Sequence, residues 1–252
     1  MSPFKSEIYA LCTTIAEVDF PGWKFASKQF KNDLLPQTTL VIDPGFVFQR
    51  TGDSAWVSPN ILVYNKKISR LYKYIFGKGK SVPASFVNTQ QITHLFRLTP
   101  EKLRPTYYIE QDKEKYLAQV KAEGSFKEET LKRFEEKSVD FSEARPVLTA
   151  TLKDVMHFID EYYDLGSEQA LLSALPPRYT TRHERTPYSQ TEQWPGVMLC
   201  VVRILLGDFD YVEHYRSDDF KTVYPKQVAN LDKIMAALPE LKRRHAETGS
   251  VV

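Results

Sequence analysis

Near Gln111 the chain changes texture, and this limits its possible folds more than any other feature. Before that point, short runs rich in β-branched and aromatic residues (39–50, 55–64, 104–110) are interrupted by Pro and Gly. Beyond it, long stretches carry apolar residues at steps of three and four almost to the C-terminus. Strand-like runs followed by helical runs specify an α+β protein rather than an alternating α/β one. The expected architecture is a mostly antiparallel sheet with flanking helices over residues 1–110. A helical region over 111–252 packs on it or continues it as one domain.

The element boundaries follow from local chemistry. Residues 2–18 form a helix with Phe4, Ile8, Leu11, Cys12, Ile15 and Val18 on one face, ended by Phe20-Pro21-Gly22. Residues 23–31 are expected as one strand, with a turn over 32–36. Asp43-Pro44-Gly45 breaks the extended run 39–50, and Pro59 inside 55–64 predicts an edge strand or a bulge. Residues 66–76 form a helix whose apolar face holds Ile68, Leu71, Tyr72 and Ile75; 83–89 and 104–110 complete a sheet of four to six strands. In the second half, helices are expected over 113–137 with a break at Gly124-Ser125, over 144–165, and over 168–175 capped by Ser167. A polar loop over 178–193 leads into an apolar helix opened by Pro195 at its first position. A short helix over 208–215 and a long one over 225–245 follow.

The net charge of +2 argues against general polyanion binding, so an electrostatic partner must be met by a local patch. No secretory leader is read at the start, and no apolar run approaches the ~18 residues of a membrane span. Cys12 and Cys200 sit in apolar helical contexts and are expected as buried free thiols. A cytoplasmic chain is the expectation.

Several motifs fail on spacing. Gly79-Lys80-Ser81 would close a phosphate-binding loop only with Gly five positions earlier, where Tyr74 stands. His183-Glu184 would need a second His one turn on, where Pro187 stands. The histidines His94, His157, His183, His214 and His245 are dispersed, and the cysteines do not join them at metal-ligand spacing. No nucleophile elbow or dinucleotide fingerprint occurs. No catalytic residue, cofactor or metal ligand is therefore assigned, although a dispersed His157/Glu161/His183 site stays open as a rival.

Three surface segments suit binding. Tyr64 to Lys80 interleaves Lys66, Lys67, Arg70, Lys73, Lys78 and Lys80 with Tyr64, Tyr72, Tyr74 and Phe76, a mixture that can contact phosphates and stack bases. Asp208, Asp210, Glu213, Asp218 and Asp219 surround Tyr211 and Tyr215, which suits a basic protein partner. The long polar loop bearing Arg178, Tyr179, Arg182, His183 and Arg185 is the third.

The run Trp56-Val57-Ser58-Pro59-Asn60-Ile61-Leu62-Val63-Tyr64, followed by a helix with Ile68 and Leu71, resembles bacterial immunity proteins. These partner secreted antibacterial toxins, type VI secretion effectors among them. Gly22-Trp23-Lys24-Phe25, Phe46-Val47-Phe48-Gln49-Arg50, the stretch 159–175 with Ser167-Glu168, and Leu205-Leu206-Gly207-Asp208-Phe209-Asp210 are similar to segments of that group. The charged helix over 113–137 departs from its compact members. The resemblance implies no catalytic residues. It implies a protein that occludes or locks a cognate toxin, here one acting in the cytoplasm, such as a nuclease or nucleotide-consuming enzyme. The partner-binding residues expected are Asp208, Asp210, Tyr211, Glu213, Tyr215, Asp218 and Asp219, then Arg178, Tyr179 and Arg182.

Overall fold

A computed structural model describes residues 2–50, 52–77, 82–87, 107–124, 126–175, 190–216 and 227–252. The protein is α+β, with most of its strands in the N-terminal half and helices dominating the rest. The strands are β1 (Lys24–Ala26), β2 (Gln29–Leu35), β3 (Thr38–Asp43), β4 (Val47–Phe48), β5 (Ser54–Val57), β6 (Asn60–Asn65), β7 (Ser85–Val87), β8 (Tyr107–Glu110) and β9 (Ser138–Asp140). One sheet has the order β1-β2-β3-β6-β7 and a second the order β4-β5-β8-β9. The helices are α1 (Pro3–Asp19), α2 (Lys66–Phe76), α3 (Lys113–Glu123), α4 (Glu128–Lys137), α5 (Ala144–Tyr162), α6 (Glu168–Ser173), α7 (Gln190–Leu205), α8 (Phe209–Tyr215) and α9 (Val228–Thr248). Among the described residues, none of these is long and apolar enough to cross a membrane.

Two compact units divide the chain: Met1–Asn32, Val41–Ile61 and Val87–Ile159 form the first, and Asp33–Leu40, Leu62–Phe86 and Asp160–Val252 the second. In the first, Ser2 caps α1 by accepting from the Lys5 N–H at 3.4 Å, and Phe4, Ile8, Cys12 and Ile15 are buried along one face. Tyr9 meets Phe25, Phe46 and Phe48 at ring separations of 6.0, 6.2 and 5.8 Å, while Phe4 meets Phe48 and Phe141. These edge-on and tilted pairs anchor α1 to β1 and to the segment entering β4. Cys12 is a buried free thiol, pushed up to about 12 by burial.

In the second unit, Asn65 caps α2. Its Oδ1 accepts from the N–H groups of Lys67 (2.9 Å) and Ile68 (3.1 Å), while its Nδ2 donates to Thr38 Oγ1 at 2.8 Å. Glu168, opening α6, accepts from the Gln37 N–H at 2.6 Å and from the Thr38 hydroxyl at 3.2 Å. The apolar face of α2 packs beneath α7, whose residues Val197 to Val202 and Ile204 are all buried, Cys200 among them as a free thiol. Gly196 lets α7 approach Tyr215, since a Cβ there would stand 1.9 Å from the Tyr215 hydroxyl.

Several sequence-derived boundaries are corrected. Residues 23–31 are two strands, β1 and β2, turning at Ser27 and Lys28, whose φ values of 54° and 68° lie in the left-handed region. Residues 32–35 accordingly belong to β2, and the turn falls after it. Pro59 marks neither an edge strand nor a bulge: it stands where the chain leaves β5 in one sheet for β6 in the other. Strand β9, parallel to β8, lies in a stretch the helical periodicity left unassigned. Pro195 does not open α7, which begins at Gln190. The expected residues 78–81, 88–106 and 176–189 lie outside the described residues.

Candidate functional site

The two faces of strand β5 build the site. Ala55 and Val57 are buried, as is Ile109 on the paired strand β8. Ser54 pairs with Glu110 and Trp56 with Tyr108, which puts these four residues on the opposite face of the sheet. Trp56 stacks on Tyr108 with ring centroids 6.0 Å apart. Tyr108 meets Phe134 of α4 edge-on at 5.0 Å, and Phe134 meets Phe126 edge-on at 5.5 Å. The result is a continuous row of four rings, extended by Val47, which pairs with Trp56. Val47, Trp56 and Phe126 remain 58%, 42% and 42% exposed. Large apolar side chains held open on a sheet face mark an interaction surface more than a packing remnant.

Beside this row lies a cavity of about 550 Å³ under α3. Asp112 caps α3 by accepting from the Lys115 N–H at 2.9 Å, which brings Tyr116, Gln119 and Glu123 over the end of β8. Glu110, the last residue of β8, forms part of the cavity wall, flanked by β5 on one side and β9 on the other. It is only 1% exposed, and no donor among the described residues reaches either carboxylate oxygen. Burial pushes its carboxyl up to about 7; the nearby Ser54 hydroxyl opposes the rise without completing a hydrogen bond, and Asp53 adds to it. The hydroxyls of Ser54 and Ser138 on the adjoining strands are buried in the same condition.

The adjacent ladder carboxylate behaves in the opposite way. Asp140, paired with Glu110, accepts from the Ser142 N–H and hydroxyl and from the Lys113 N–H, and these donors hold it below the usual range. Two carboxylates on neighbouring strands thus differ because Glu110 is buried whereas Asp140 is held by several donors. Tyr116, whose hydroxyl accepts from Gln49 Nε2 at 3.5 Å, is raised mainly by its own burial. Four carboxylates line the cavity (Asp53, Glu110, Asp112, Glu123) against one ammonium, Lys115. Among the described residues, no three His, Cys, Asp or Glu side chains gather as metal ligands do.

The segment singled out around Asp208 is largely engaged within its own unit. Asp208 caps α8 through the Tyr211 N–H at 3.2 Å and pairs with Arg203 at 3.6 Å. Arg203 covers the Tyr211 ring at 5.1 Å, and Tyr211 stacks on Tyr215 at 5.8 Å. Tyr215 is 8% exposed against Gly196, so it offers no projecting anchor. Glu213 pairs with Lys242 at 2.6 Å, and Asp210 is exposed. Asp218, Asp219, Arg178, Tyr179 and Arg182 lie outside the described residues. On α2, Lys66, Lys67, Arg70 and Lys73 are exposed, Tyr72 is buried against Phe76 and Trp194, and Tyr74 lies under Arg244 at 4.6 Å. His157 and Glu161 stand one turn apart on α5, while His183 lies outside the described residues.

Trp56 was legible as part of the strand run, but Glu110 was read only as a strand end. The alternation in Tyr107-Tyr108-Ile109-Glu110 carried the available signal, since it places Glu110 on the face of Tyr108. No protein-family model, curated protein or solved structure matches this chain.

Proposed function

We propose that this protein works by binding, as an immunity-type protein that captures a cognate antibacterial toxin in the cytoplasm and neutralises it by occluding or locking its active site. The observation that carries the reading is the row of exposed Val47, Trp56 and Phe126 with half-buried Tyr108 between them, standing beside an acidic cavity. Aromatic anchors supply most of the energy in tight protein complexes, and neighbouring charge sets the partner's sign and raises the on-rate. A basic toxin domain is complementary to this face. The resemblance of the Trp56 to Tyr64 run to immunity proteins points the same way. This moves the expected contact surface from the Asp208 segment, whose tyrosines are engaged internally, to the first unit.

A second reading, nucleic-acid binding through α2, is favoured by the exposed Lys66, Lys67, Arg70 and Lys73, which make no ion pair among the described residues. It requires retention on nucleic acid that falls steeply with salt.

The test is co-expression with the toxin-like open reading frame encoded beside this gene. Growth rescue and an equimolar complex are expected, with Trp56→Ala weakening the complex by roughly 2 kcal/mol or more, the size typical of a hot-spot ring. Neither rescue nor complex would refute the function. A complex indifferent to Trp56→Ala and Phe126→Ala together would refute the face.

A further inference from the structure

We infer that the cavity above Glu110 is a receptor for one arginine side chain of a protein partner, with Glu110 as the counter-charge for its guanidinium. The inference rests on the protein-binding reading for the identity of the partner, but the chemistry of the cavity stands by itself. Glu110 closes the ladders that β8 makes with β5 and β9, pairing with Ser54 and Asp140, and it is buried there. Once ionised, it needs donors that the described residues do not supply.

A guanidinium supplies them in a planar fork of five N–H groups. The rest of the lining suits that shape. Gln49, Gln111 and Gln119 offer amide oxygens around the carboxylates, and the rings of Tyr116 and Phe126 offer faces for stacking. An anion is excluded by charge, with four carboxylates against Lys115. A divalent cation is disfavoured because the acidic groups do not gather as a ligand set among the described residues. At about 550 Å³ the cavity admits the whole side chain together with part of the segment bearing it.

Binding must also follow the charge on Glu110. Facing it are Ser54 and Asp53 from β5 and its approach, Asp140 and Ser138 from β9, and Tyr108 on its own strand. Asp112, Lys115, Tyr116 and Glu123 come from α3 and its cap, while α4 brings Phe134 and Glu135, the latter paired with Lys121. Asp140 is held below the usual carboxylate range and Tyr116 above the usual phenol range, so neither changes charge across neutrality.

The experiment titrates the full chain, with glutamate carboxyls labelled with carbon-13, using N-acetylarginine methylamide and its neutral isostere N-acetylcitrulline methylamide. The arginine probe should move the Glu110 carboxyl resonance and lower its titration midpoint, and the citrulline probe should do neither. Arginine binding should strengthen from about pH 6 to about pH 8, as Glu110 ionises, and Glu110→Gln should weaken it by about tenfold or more. Equal responses to the two probes, or arginine binding that is flat with pH in the unmutated chain, would overturn the inference without needing the variant to fold. Arginine binding at Glu110 without toxin rescue would sink the immunity reading and leave the receptor standing. A toxin complex with no probe response at Glu110 would do the reverse.

Discussion

Glu110→Gln isolates the electrostatic state of the cavity in a single measurement. The carboxyl moves from an ordinary 4.5 to about 7 on folding, a difference that corresponds to about 3 kcal/mol between the protonated and ionised forms. The sign follows from linkage. The folded chain holds this proton more tightly than the unfolded chain. Its contribution to stability is therefore fully present below about 4.5 and lost as pH rises through about 7. Between about pH 5 and about pH 8 the unmutated protein should lose about 2–3 kcal/mol from this group alone. Glutamine cannot ionise and loses nothing from this position. Urea unfolding of both proteins at the two pH values, followed by far-ultraviolet circular dichroism, gives four free energies. The difference between the two proteins removes every other titrating group they share. Glu110→Gln should gain about 2–3 kcal/mol relative to the parent on going from the lower to the higher pH. A difference that is flat with pH, or that runs the other way, would show that Glu110 is not held in a desolvated, donor-free site.

Two backbone predictions test the frame around the site. Gly45 has φ +62°, and a Cβ there would stand 2.0 Å from the Ser58 carbonyl oxygen, which belongs to the same unit. Gly45→Ala should therefore destabilise the protein by about 2 kcal/mol or more, read as a lowered urea midpoint; an unchanged midpoint would refute the close approach. Asn65→Ala removes the acceptor for two N–H groups and the donor to Thr38 and should cost about 2–3 kcal/mol. Asn65→Ser, which keeps the cap but not the reach to Thr38, should cost roughly half as much. Equal losses in the two variants would show that the Thr38 bond, not the cap, dominates.

What the sequence disclosed follows the range of the interactions involved. Helix α2 was legible because its apolar positions Ile68, Leu71 and Tyr72 lie within a few residues of one another. The break at Gly124 was legible for the same reason, and that residue does close α3 in the left-handed conformation. The turn at Ser27-Lys28 was hidden because both residues take positive φ without the Gly or Asn that usually marks one. Pro59 was seen as a disturbance, but whether it bends one strand or separates two sheets depends on partners elsewhere in the chain. Strand β9 is three residues long and exists by pairing with β8, so its own composition hardly distinguishes it. In the Asp208 segment, an acidic-aromatic composition looks the same whether its rings project or, like Tyr215, fill the space left by a glycine. Glu110 stands at the end of this scale: its alternation is local, but its burial comes from α3 closing over the strand end, and only the assembled fold places it.

The same carboxylate ties stability to recognition. In the free chain above about pH 7, the fold carries an ionised group whose burial opposes it by about 3 kcal/mol. A protein selected only for stability could replace that group by a neutral one of similar shape. A cationic side chain entering the cavity removes the opposition, because the charge then has a partner in low-dielectric surroundings where the attraction is strong. The aromatic row and the cavity therefore divide the work of binding. Trp56, Tyr108 and Phe126 supply contact area that holds any well-shaped partner, while Glu110 rewards only one that presents a cation at the right place. Trp56→Ala should accordingly weaken every partner of this face, whereas Glu110→Gln should stabilise the free chain at neutral pH and blunt its discrimination between arginine and its neutral isosteres.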